Sequence, residues 1–204
     1  MPFDPQQFIQ YIRYLYQKNG ANGLLLLCNA GNIFIKCMGG RDNYDSCMNL
    51  RTLTQIGLTY KNAVTYLVLF AQLDYECGPV EPIILSNWKC ISQVAANQNF
   101  VLDQCTSTYL NQLKNITSRP QLCTYSQQFA MCYSAPFGSG CDNVVQAAVC
   151  GIINSGFQVN MPDCSVSCQG SNKLDLVALK YVLDFDFNDK FMGIAEKSKK
   201  INKI

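Results

Sequence analysis

The chain has no histidine. That removes Ser-His-Asp and Cys-His nucleophiles, the imidazole base and every histidine-containing zinc set. It also has no Cys-x-x-Cys pair. The tightest spacing is Cys164-Ser165-Val166-Ser167-Cys168, so thioredoxin-type redox chemistry and paired-cysteine zinc sites are not indicated. Charge is scarce as well: 15% of residues are charged, and the 16 basic and 14 acidic residues leave a formal net charge of +2. Nucleic acid is therefore not an expected partner, because its recognition needs a strongly basic face. No long apolar run is present. Ala63 to Ala71 covers about half of the roughly 20 residues that a membrane-spanning helix needs, so no membrane span is expected. The opening MPFDPQQFIQYIRYLYQKNG carries an acid where a secretory leader carries basic residues, and its apolar residues are spaced apart.

What the chain does have is cysteine. There are 12 in 204 residues: Cys28, Cys37, Cys47, Cys77, Cys90, Cys105, Cys123, Cys132, Cys141, Cys150, Cys164 and Cys168. The even count, the wide gaps and the missing histidine favour disulfides over metal, and all twelve are expected to pair as six bridges. Disulfides persist in oxidising compartments, so the expected location is secreted or extracellular. Hydrophobic residues at 49% exclude a disordered chain.

The periodicity predicts an all-α domain. Asp4 suits an N-cap and Pro5 the first helical position; Phe8, Ile12, Leu15 and Tyr16 follow at helical spacing, and Asn19-Gly20 closes the run. Leu24 to Cys37 is apolar but interrupted by Asn29-Ala30-Gly31-Asn32, and Gly39-Gly40 is a break. Helix is expected from Cys47 to about Glu76 with an interruption near Gly57. A loop should run from Cys77-Gly78-Pro79 through Glu81-Pro82, and a helical stretch from Trp88 to Lys114. Cys123, Cys132, Cys141 and Cys150 lie nine residues apart, symmetric about Pro136, Gly138 and Gly140. This pattern predicts an αα-hairpin of helices 121–133 and 141–153. Nine residues turn a helix by roughly 900°, so cysteines on one helix point to opposite sides. One of Cys123–Cys150 and Cys132–Cys141 should then close the hairpin, but not both. The expected organisation is an N-terminal helix (1–20), a cysteine-rich helical domain (21–170) and a tail with a short helix (171–204).

Few motifs carry chemistry. Asp74/Glu76 and Asp184/Asp186 could in principle do acid–base work but read as solvated charge. No cofactor and no metal is expected. Asn115-Ile116-Thr117 is a glycosylation sequon in a polar connector. Ser139-Gly140 and Ser155-Gly156 read as turn and helix-end residues, and the basic end from Lys197 to Lys203 as a solvated terminus. Trp88, Phe70, Tyr75, Phe100 and Tyr109 read as core, with a ligand pocket as the alternative.

Phe34-Ile35-Lys36-Cys37, Leu73-Asp74-Tyr75-Glu76-Cys77-Gly78, Asn87-Trp88-Lys89-Cys90, Phe129-Ala130-Met131-Cys132-Tyr133 and Pro162-Asp163-Cys164-Ser165-Val166-Ser167-Cys168 occur in that order. In this the chain resembles the nematode secreted cysteine-rich proteins built on a twelve-cysteine extracellular domain. A related group is similar to the chondroitin-proteoglycan core proteins of nematode eggs. The resemblance covers roughly Cys28 to Cys168. It implies an extracellular, disulfide-bonded helical domain and no catalytic residues. The expected function is a secreted structural or interaction protein without catalytic activity, its partner an extracellular protein or glycan. The alternative is a small-ligand or lipid carrier, whose cavity would be lined by Leu67, Phe70, Trp88 and Val101.

Overall fold

The structure is a computed structural model that describes residues 4–164 and 166–168. The expected tail helix at 171–204, Asp184/Asp186 and the basic end lie outside the described residues. Within them the chain is all-α and disulfide-stapled, with nine helices and no strand: α1 (Pro5–Asn19), α2 (Ala21–Cys37), α3 (Arg41–Cys47), α4 (Leu50–Gln55), α5 (Tyr60–Glu76), α6 (Glu81–Asn97), α7 (Asn99–Lys114), α8 (Arg119–Gly140) and α9 (Asn143–Asn160).

Local chemistry sets most of the boundaries. The Asp4 side chain accepts from the Gln6 N–H at the start of α1, with Pro5 in the first turn. Gly20 separates α1 from α2 at φ 57°, a conformation that a side chain resists. Three residues on, a Cβ at Gly23 would stand 2.5 Å from the Leu15 carbonyl oxygen, so only glycine lets α2 lie this close to α1. Gly39 and Gly40, at φ 89° and 107°, end α2, and α3 leaves at a bend of 89°. Gly57 at φ 99° makes the expected interruption between α4 and α5, and the Thr59 hydroxyl caps α5.

Three sequence expectations need correction. Glu81-Pro82 does not continue a loop; it opens α6, with proline in the first turn where its missing N–H costs nothing. Trp88 lies in the middle of that helix, and the stretch to Lys114 is divided at Gln98. The αα-hairpin forms, from α8 and α9, but its turn is not at Pro136. Asp142 accepts from the Val145 N–H and fixes the turn at Cys141-Asp142, while α8 runs through Pro136.

That shift of about five residues per helix, roughly 7–8 Å along the axis, undoes the cysteine symmetry. Neither Cys123–Cys150 nor Cys132–Cys141 forms. Cys123 instead lies opposite the end of α9 and bonds Cys164, and Cys132 faces α7 and bonds Cys105. Cys141 bonds Cys90 on α6, and Cys150 bonds Cys168 in the segment after α9. Each of the four cysteines bonds outside the α8–α9 pair, and Cys141 lies in the turn between the two helices. Cys164 and Cys168 both lie outside the helices, in the segment after α9.

The core is built around α9. Val145, Ala148, Val149, Ile152 and Ile153 are buried against α8 and α5, with Tyr109, Phe129, Tyr133 and Phe137 filling the space toward α7. Gly156 permits the α5 contact, since a Cβ there would meet Gln72 Nε2 at 2.9 Å. The Tyr109 hydroxyl is satisfied by Ser126 at 3.0 Å inside this core.

Candidate ligand cavity

The N-terminal helices do not close on themselves. α2 is buried at Leu24, Leu27 and Cys28, where it crosses α1, and then projects outward. Beyond that point Ile33 and Phe34 are 62% and 43% exposed. α3 turns back from the tip and sets Tyr44, which is buried, against Phe70 of α5. Between this flap and the body lies a cavity of about 440 Å³. Its walls are Phe8, Tyr11 and Leu15 of α1; Leu26, Leu27, Ala30, Gly31, Asn32, Phe34 and Ile35 of α2; Tyr44; Phe70, Leu73 and Asp74 of α5; and the Cys28–Cys77 bridge.

Aromatic rings form one wall. Phe34 stacks on Phe70 at 6.2 Å, Tyr44 meets both edge-on, and Phe8 and Tyr66 also pack on Phe70. Among the described residues, Asp74 is the one charged residue in the lining. It accepts from Arg41 Nη2 at 2.8 Å, and Arg41 also reaches Asp45 at 2.9 Å while its guanidinium lies over the Tyr44 ring. Burial, with Asp74 adding to it, pushes the Tyr44 hydroxyl above its ordinary range, so it stays protonated.

The pocket foreseen in the sequence is not this one. Of Leu67, Phe70, Trp88 and Val101, Phe70 alone lines the cavity. Trp88 packs on Tyr16 at 5.6 Å, Val101 is on the surface, Phe100 is 79% exposed and Tyr109 is in the core. Asp74 and Glu76, paired in the sequence reading, part company. Glu76 faces inward at 1% exposure, where it accepts from the Tyr16 hydroxyl at 3.2 Å through Oε2. Oε1 has no hydrogen-bond partner among the described residues. Desolvation lifts its pKa from 4.5 to about 7, against a smaller lowering by the Tyr16 bond. A carboxyl so enclosed reaches no solvent-borne substrate and is not solvated charge.

Ten of the twelve cysteines are joined, in five bridges; Cys37 and Cys47, at the ends of α2 and α3, are free thiols, so the expected sixth bridge is not formed. α2 and α3 diverge after Gly39-Gly40, which separates the two helix ends. Cys123, Asp163 and Cys164 cluster as metal ligands would, but the two sulfurs bond each other and Asp163 is engaged by Arg119, whose Nε donates to it at 2.9 Å. That ion pair holds the Asp163 carboxyl down at about 2. Asn115 is exposed at the C-terminal cap of α7, and Thr117 donates to Gln121 through its N–H and hydroxyl. Ser139 and Ser155 donate to helix carbonyls of α8 and α9.

No single helix among the described residues is long and apolar enough to cross a membrane. No family model, no curated protein and no solved structure matches this chain.

Proposed function

We propose that the chain is a secreted domain that binds an apolar small molecule under the α2–α3 flap and does no chemistry on it. The observation that carries this is the cavity itself: about 440 Å³, walled by aromatic and aliphatic side chains, with one carboxylate at its edge. Its volume lies within the range of small-molecule sites, and its composition matches them: mostly apolar, with few polar groups. The carrier alternative of the sequence reading thus has more support than a purely structural module, which would leave no reason for such a void. Five disulfides in a small helical domain are typical of extracellular proteins, which supports secretion, and the resemblance to nematode secreted proteins points the same way. Glycosylation at Asn115 belongs to the same proposal, since the side chain is accessible.

Gly31 offers the test. It lines the cavity, and a Cβ there meets nothing within 4 Å. Gly31→Phe should fill the void without disturbing the fold. Titration with octanol, read by displacement of a neutral fluorescent dye, should show binding to the native chain and none to the variant, with unchanged helical circular dichroism. A native chain that binds neither dye nor alcohol would end this reading.

A further inference from the structure

We infer that the cavity is selective for an apolar amine over a neutral or anionic ligand of the same size; this rests on the ligand-binding reading above. The argument is one of charge complementarity. Asp74 lines the cavity and is bonded by Arg41 of α3, which in turn bonds Asp45. Arg41 is divided between Asp74 and Asp45, so the bonded trio has one more negative charge than positive. Asp74 holds Arg41 through Oδ2 and is also hydrogen-bonded by the Tyr44 hydroxyl, yet its side chain is 30% exposed. With about four acceptor positions, the carboxylate can still accept from an ammonium placed at the cavity edge.

The walls favour the same partner. Ring faces carry negative charge density and attract cations, and a cage of several rings is the usual means of holding an organic ammonium group. Phe8, Tyr11, Phe34, Tyr44 and Phe70 all line this space. A fatty acid would meet the opposite situation. Its carboxylate could reach Arg41 only beside Asp74 and Asp45, which already share that cation and would repel a third carboxylate. A neutral alcohol gains the apolar walls and can donate one hydrogen bond to Asp74, but it lacks the charge attraction to that carboxylate and to the rings.

Octylamine, octanol and octanoate share one tail and differ in head charge at neutral pH. Their affinities, from displacement of the same neutral dye, should fall in that order, with octylamine roughly five- to tenfold tighter than octanol. Asp74→Asn should bring the amine-to-alcohol ratio close to one. Arg41→Gln should raise it, because the competing cation is gone. Opposite responses of the two variants separate charge selection from simple damage to the flap, which would weaken both ligands together. Octanoate binding as tightly as octylamine, or an amine-to-alcohol ratio indifferent to Asp74→Asn, would overturn the inference while leaving the apolar-ligand reading intact. Failure of all three to displace the dye would remove both.

Discussion

Glu76 should make the folded state less stable as pH rises, and Glu76→Gln should remove that dependence. In the unfolded chain the carboxyl ionises near 4.5; in the folded chain burial delays ionisation to about 7. Below pH 4.5 it is neutral in both states and contributes no penalty. Between the two values the unfolded state ionises first and is favoured, at up to about 1.4 kcal/mol per pH unit. Above about 7 both forms are charged and the gap stops growing. The full shift corresponds to about 3 kcal/mol, a large share of the stability of a domain this size. Glutamine has the same shape, accepts from the Tyr16 hydroxyl and never ionises. Urea unfolding with disulfides intact, followed by the fluorescence of Trp88 beside Tyr16, should therefore show native and variant unfolding free energies diverging between pH 4.5 and 7. The variant should be the more stable at pH 8 relative to its offset at pH 4. Taking the difference cancels the other carboxylates. Parallel curves across this range, or divergence in the opposite sense, would show that the native fold supplies Glu76 with compensation that the Tyr16 bond alone does not give.

Alkylation of the unreduced folded protein should label two thiols, Cys37 faster than the half-buried Cys47, and intact mass should show no more than two additions. Gly23→Ala should cost roughly 2–3 kcal/mol in urea unfolding, because the clash is with backbone atoms of Leu15 and Tyr16 that cannot rotate away; an unchanged midpoint would mean that α1 and α2 are not packed as described. Replacing Cys28 and Cys77 together by alanine opens a bridge of sequence separation 49, worth roughly 4 kcal/mol in loop entropy. Since that bridge also walls the cavity, octanol affinity should fall with it.

Helix content was legible because the relevant signals are local. Asp4-Pro5, Gly20, Gly39-Gly40 and Gly57 act within one turn of themselves, and each ended or began a helix where its backbone chemistry predicts. The hairpin's existence was legible too, but its register was not. Regular cysteine spacing drew attention to Pro136, whereas one Asp142 carboxylate capping Val145 decided the turn. A helix can tolerate an internal proline when packing holds it, and packing on both sides of α8 is a tertiary fact. The cavity was hidden for a related reason. Asn29 to Asn32 interrupts an apolar stretch and reads as a break, yet the chain stays helical and carries those residues out over α5. Nothing in a periodicity argument says that Phe34 and Tyr44, separated by two glycines, will fold back on Phe70. Glu76 sits one residue before Cys77, where surface charge is the ordinary reading; only the depth of the α1–α5 contact shows otherwise.

The five bridges fall into two sets with no member in common. Cys28–Cys77 closes one loop, whereas Cys90–Cys141, Cys105–Cys132, Cys123–Cys164 and Cys150–Cys168 interlock over residues 90–168. Between them, Gly78 and Pro79 are exposed. A protease site engineered there would leave the described residues as two separately stapled fragments, joined by the seam of α5 on α9 and by Trp88 against Tyr16. The flap and its cavity would travel wholly with the first fragment, and the buried α8–α9 core with the second. Release of the two pieces after cleavage, set against their retention as a complex, would measure directly how strongly the ligand-facing half depends on the scaffold beneath it.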